Sequence, residues 1–133
     1  MKEILVPTAP AELIDKLTIL RLKSERIADA DKLAHVQHEM EVLQKTAKSE
    51  IPDSETLRGL WDELYEINTD LWVIEDDIRA FDARGDFGPG FVALARAVYV
   101  TNDRRAAVKK RINMLLGSPL VEEKSYTQHS GDS

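Results

Sequence analysis

The sequence predicts an all-α protein: a bundle built on a long antiparallel helical hairpin, packed on one or two N-terminal helices. Three observations carry this. Leu57, Leu60, Leu64, Ile67, Leu71, Ile74, Ile78 and Phe81 recur at alternating steps of three and four, the signature of one continuous helical face. The stretch GDFGPG at residues 85–90 breaks that pattern with three glycines and Pro89. A second apolar helical run then continues to Gly117, with Pro119 beyond it as a stop.

The elements follow in order. KEILV before Pro7 has no strand partner and is read as an extended arm. A first helix is expected over about 9–28, with Thr8 as its cap and Pro10 in its first turn. Leu13, Leu17, Leu20, Ser24 and Ile27 lie on one face of it. At IADADKL the register breaks, because Leu33, Val36, Met40, Leu43 and Ala47 form a series out of phase with the first. Asp29 or Asp31 can cap a new start there, so a second helix over about 31–48 follows a kink or a short turn. In SEIPDSETL, Pro52 ends that element and Asp53 or Ser54 caps the third helix, about 54–84. The fourth helix spans about 89–116. Its first half, FVALARAVYV, is apolar nearly all round except at Arg96, which predicts burial on several sides. Residues 1–126 are expected to form a single helical domain and 127–133 a flexible tail; the preceding GSPLVEEKSY, with Leu120, Val121 and Tyr126, is expected to dock back on the bundle or over a site.

Composition narrows the function classes. The formal charge of -6 argues against broad affinity for nucleic acid or an anionic membrane surface, because neutralising phosphates needs a basic excess, and leaves room only for a local basic patch that binds an anion. With no cysteine, disulfides, thiolate zinc sites and cysteine nucleophiles are ruled out. No apolar run reaches the length of about 18 residues that a membrane span requires. MKEILVPTAP also lacks the layout of a secretory signal, so the expected location is cytoplasmic.

The charges can be placed through the hairpin. With the turn centred near Asp86, positions that face one another sum to about 172. Asp70 then meets Arg104 and Glu63 meets Arg111 along one edge of the seam, while Asn68 comes level with Asn102 on the other. Glu63, Glu66 and Asp70 share the ExxE-like spacing of helical magnesium-dependent nucleotide pyrophosphatases. Since the opposing row is basic, a salt-bridged seam is expected instead, with no metal and no cofactor.

The three consecutive acids Glu75, Asp76 and Asp77 point about 100° apart and cannot converge on one cation. The Asn102-Asp103 pair of TNDRR is about 10 Å further along the hairpin. Glu75 does have Arg79 one turn on and Arg96 opposite, which reads either as a half-buried ion pair or as two anion-binding arginines held by Glu75. Thr101 and Arg105 put polar groups on seam positions, either fixing register or lining a polar pocket with Asn68 and Tyr99. The candidate anion or polar pocket is therefore Asn68, Glu75, Arg79, Arg96, Tyr99, Asn102, Asp103, Arg104 and Arg105. His35 and His38 lack a third ligand for a catalytic zinc, and no serine or threonine has a nucleophile's setting.

Four blocks, ELIDKLTILRLKSERI, LWVIEDDIRAFD, FVALARAVYVTNDRRAAVKKRIN and GSPLVEEKSY, together resemble a family of small, uncharacterised all-helical proteins of bacteria and phages, over most of residues 11–126. The resemblance implies a domain of unknown function with a protein partner in surface-polysaccharide synthesis; it brings no catalytic residues. Ile14-Asp15 through Arg26 is similar to the first helix of helical chorismate mutases, but the chain before it reads VPTAPAEL and lacks the arginine such a site needs.

The reading favoured is a non-catalytic interaction or assembly module, a homodimer that buries the excess apolar surface of its long helices. The alternative is a binder or enzyme acting on an anionic small molecule, phosphorylated or a nucleotide-sugar, through Arg96, Arg104 and Arg105.

Overall fold

The computed structural model describes residues 1–120; the expected tail and most of the segment expected to dock back lie outside the described residues. The described part is all helical beyond the N-terminal arm: α1 Pro10–Arg26, α2 Ala30–Glu50, α3 Glu55–Ala83 and α4 Pro89–Leu115. No strand occurs among the described residues. The register break at IADADKL is a true turn, and Asp29 is the cap: its Oδ1 accepts from the Lys32 amide at 2.9 Å. At α3 the cap is Ser54, whose Oγ accepts from the Leu57 amide at 3.1 Å. Asp53 instead takes Arg58 at 2.7 Å.

Thr8 does not cap α1. The helix starts after Ala9 with no local side-chain cap, and the Ala11 amide donates to Asn113 Oδ1 at 2.9 Å from the far end of α4. A tertiary contact thus satisfies an end group that sequence neighbours leave open.

Both ends of the hairpin finish the same way. Gly85, at φ +66, donates its amide to the Asp82 carbonyl at 2.9 Å, and Asp86 donates to Phe81 at 3.0 Å. Gly117, at φ +65, and Ser118 repeat the pattern on Met114 and Asn113 at 3.2 and 2.9 Å. The left-handed backbone at each glycine closes two orphan carbonyls, and it carries a penalty for any residue with a Cβ.

α3 and α4 pack as the antiparallel hairpin, with α1 against both of them and α2 against α1 alone. Ala11 with Asn113, Glu12 with Lys109 and Asp15 with Arg105 show that α1 runs antiparallel to α4. The shared core is Ala11 and Ile14 of α1, Leu57, Leu60, Leu64 and Ile67 of α3, and Val108 and Ile112 of α4. Each of these side chains buried from water contributes roughly 1.5–3 kcal/mol, apart from the smaller alanine.

The core is confined to one end of the hairpin. Full burial on α3 stops at Asn68 and on α4 begins at Thr101. Toward the tip, Leu71, Ile74, Ile78 and Phe81 of α3 are only half-buried, as are Phe91, Leu94 and Val98 of α4. The expectation that FVALARAVYV is buried on several sides does not hold among the described residues, for Val92 is 52% and Tyr99 43% exposed. α1 is too short to cover it: at about 1.5 Å per residue its 17 residues span about 25 Å, against about 43 Å for the 29 of α3.

Candidate functional site

Where α1 crosses the hairpin, the helices bury polar groups in the middle of an apolar face. Asp15 and Asn68 are each 4% exposed and Thr18 is 1% exposed. Arg105 of α4 grips the Asp15 carboxylate with two donors, Nε to Oδ1 at 3.0 Å and Nη2 to Oδ2. Asn68 of α3 donates through Nδ2 to Asp15 Oδ1 at 2.9 Å and to Thr18 Oγ1 at 2.8 Å, while Thr18 itself donates to the Asp15 carbonyl at 2.7 Å. Lys109 adds a pair with Glu12 at 2.9 Å and approaches Asp15 at 3.9 Å. A buried carboxylate is tolerated only with such charge-assisted partners, and here α3 supplies Asn68 and α4 supplies Arg105. No buried side-chain nitrogen or oxygen among the described residues lacks a hydrogen-bond partner.

Two recesses flank this cluster. A cleft of about 340 Å³ opens between α1, α3 and α4. Ile19, Leu22, Leu71 and Trp72 form its apolar walls, and Asn68, Glu75, Asp76, Arg79, Asn102 and Arg105 its polar ones. A recess of about 50 Å³ lies beside it, lined by Glu12, Asn102, Arg105, Ala106, Lys109, Lys110 and Asn113.

The structure gathers Asn68, Glu75, Arg79, Asn102 and Arg105 around the larger cleft and leaves the other candidates away from it. The expected pairing of Asn68 with Asn102 is not made, and both Asn68 amide hydrogens go to α1 instead. Glu75 holds Arg79 at 3.9 Å on an exposed surface, and the expected pair with Arg96 is absent. Arg96 is exposed and donates instead to the Tyr99 hydroxyl at 3.5 Å, a bond that raises its pKa above the usual arginine value. Arg104 meets Asp70 at 3.6 Å and Arg111 meets Glu63 at 3.3 Å, as the hairpin register requires. Asp103 and Tyr99 line neither recess.

Glu63 and Asp70 are thus engaged by arginines, and among the described residues no three His, Asp or Glu side chains converge as a metal site would need. Asp15, Thr18, Glu12, Lys109 and Asn113 were outside the expected set. For Asp15 and Thr18 alone the sequence carries a signal, since they interrupt the period Ala11, Ile14, Leu22, a second face of α1 that is as buried as the one singled out. At the other end of α1, Glu25 accepts from the Tyr65 hydroxyl at 2.5 Å, and Arg21 lies 3.8 Å above the Tyr65 ring.

A helical hairpin clasped by a shorter helix through a buried Asp-Arg-Asn junction defines a small all-α bundle protein. The chain belongs to the DUF6165 family, a family of unknown function, whose model matches residues 4–132. No curated protein and no solved structure matches it. No helix among the described residues is long and apolar enough to cross a membrane.

Proposed function

We propose that the protein is a non-catalytic assembly module whose working form is a homodimer joined through the free end of its hairpin. The observation that carries this is the distribution of apolar surface. The tip keeps Val73 at 46%, Phe87 at 58% and Val92 at 52% exposure, beside half-buried Ile78 and Phe91, and nothing described in the chain covers them. An apolar end of this kind on an otherwise charged molecule marks an interaction site. The interior charges support the same reading, since the Arg105 guanidinium is answered by Asp15 and Lys109 by Glu12. Light-scattering chromatography at micromolar concentration is expected to give twice the chain mass. A single-chain mass would overturn the proposal.

One observation favours the rival reading, a binder of anionic small molecules: Arg79 and Arg105 both line a cleft of about 340 Å³ that includes Trp72, within the range of ligand pockets. A ligand present at a hundredfold its dissociation constant adds about 2.7 kcal/mol of stability. Thermal-shift measurements against phosphate, nucleotides and nucleotide-sugars are therefore expected to show no displacement, and a clear one would favour the rival.

A further inference from the structure

The face of the hairpin that points away from α1 carries a self-complementary pattern. Glu63, Asp70 and Asp77 recur every seven residues along α3, and the first two are answered across the hairpin by Arg111 and Arg104. One heptad closer to the tip, α4 offers Ala97 where the series calls for a third arginine. Asp77 therefore makes no ion pair among the described residues. Arg84, at the end of α3, makes none either; its guanidinium lies 4.5 Å from the Phe81 ring centroid and remains exposed.

These two charges belong to one stripe. Val73, Asp77, Ala80 and Arg84 follow the four-three-four spacing of a single helical face, and all four are exposed. Phe87 lies in the loop just beyond, held edge-on against Phe91 with ring centroids 5.2 Å apart. Ala80 sits midway between Val73 and Phe87, and nearly midway between Asp77 and Arg84. Read in the opposite direction the stripe is its own complement: apolar against apolar, acid against base, small against small.

We infer that two copies pack these tips together about a two-fold axis passing beside Ala80, so that Asp77 of each copy pairs with Arg84 of the other and Val73 meets Phe87. This rests on the assembly reading above and names the surface and geometry it uses. A two-fold interface must be self-complementary, and a single stripe satisfies that only when its pattern inverts about its centre, as this one does. The small side chain at the axis lets the two α3 helices approach. On α4, Ala93, Ala97 and Val100 fall on the same side by helical phase and extend the apolar contact, while Asp70–Arg104 and Glu63–Arg111 bound it toward the core.

Charge exchange and cross-linking test the geometry in the full chain. Asp77→Arg alone and Arg84→Asp alone place like charges across the axis and should each weaken the dimer at least about tenfold, whereas the double exchange restores it. Because the chain has no cysteine, Ala80→Cys supplies the only thiol and should oxidise rapidly to a disulfide-linked dimer, with Ala34→Cys on the exposed side of α2 as the slow control. A wild-type dimer that ignores both single exchanges, or one in which Ala80→Cys links no faster than Ala34→Cys, overturns this geometry while leaving dimerisation standing. A wild-type monomer overturns both.

Discussion

Asp15 and Arg105, ninety residues apart, are joined by two hydrogen bonds in the centre of the bundle, and the Asp15 oxygen that takes Arg105 Nε at 3.0 Å also takes Asn68 at 2.9 Å. One carboxylate thereby ties α1, α3 and α4 to a single relative position. Removing only one side of such a pair strands the other. Asp15→Asn is expected to lower the unfolding free energy by about 3 kcal/mol, the low end for a broken buried pair because the Arg105 side chain is 27% exposed. Replacing Asp15 and Arg105 together by leucine should cost less than the sum of the two single replacements. Urea denaturation of the four proteins in a double-mutant cycle measures the difference.

Asn113 caps α1 through an amide 102 residues before it in the chain. Asn113→Ala leaves the buried Ala11 amide without its acceptor, and a loss of about 1–2 kcal/mol is expected from the missing cap. The protection of the Ala11 and Glu12 amides against hydrogen exchange should fall with it, more than that of the α4 amides.

The unequal core predicts unequal truncations. Leu64 is fully buried, and Leu64→Ala should cost about 3 kcal/mol; Leu71, two turns on and half-buried beside the cleft, should cost about 1 kcal/mol when cut to alanine. Denaturant midpoints at equal slope check the ratio.

Tyr65 links α3 to the end of α1, and its hydrogen bond to Glu25, with the neighbouring carboxylate charge and partial burial, raises the phenol above the ordinary tyrosine value. The folded phenol holds its proton more tightly than the unfolded one. Its contribution to stability is therefore present below pH of about 10 and is lost as pH rises through the raised value. The absorbance titration of wild type minus Tyr65→Phe should show a phenolate step above that of free tyrosine, and Glu25→Gln should bring the step back down.

Most of the architecture was legible because it is periodic. The unbroken series from Leu57 to Phe81 and the GDFGPG turn specify the hairpin, and the heptad rows specify its Glu63–Arg111 and Asp70–Arg104 pairs. The junction at Asp15 was not legible in the same way. Sequence spacing ranks the faces of one helix but does not say which distant helix will meet each face, and α1 is buried on two. Asn68 is expected on the edge of the seam, level with Asn102, yet its partners lie on α1, whose register against the hairpin no local pattern encodes. Arg96 shows the converse: apolar neighbours suggested a shared interior, but α1 ends too soon to enclose that part of α4.

α2 touches the rest of the molecule along one side only, through α1, and buries just Val36 and Ala47 fully among its 21 residues. A helix with so little holding it in place is the first to let go. Its amides should exchange with solvent through an opening that leaves the α1–α3–α4 core intact, at a free energy well below that of global unfolding. The fold is therefore graded in cooperativity: a firm three-helix body, and beside it an arm whose release would uncover Leu17 of α1, which shares a recess with Met40 and Ala47 of α2, without dismantling the junction at Asp15.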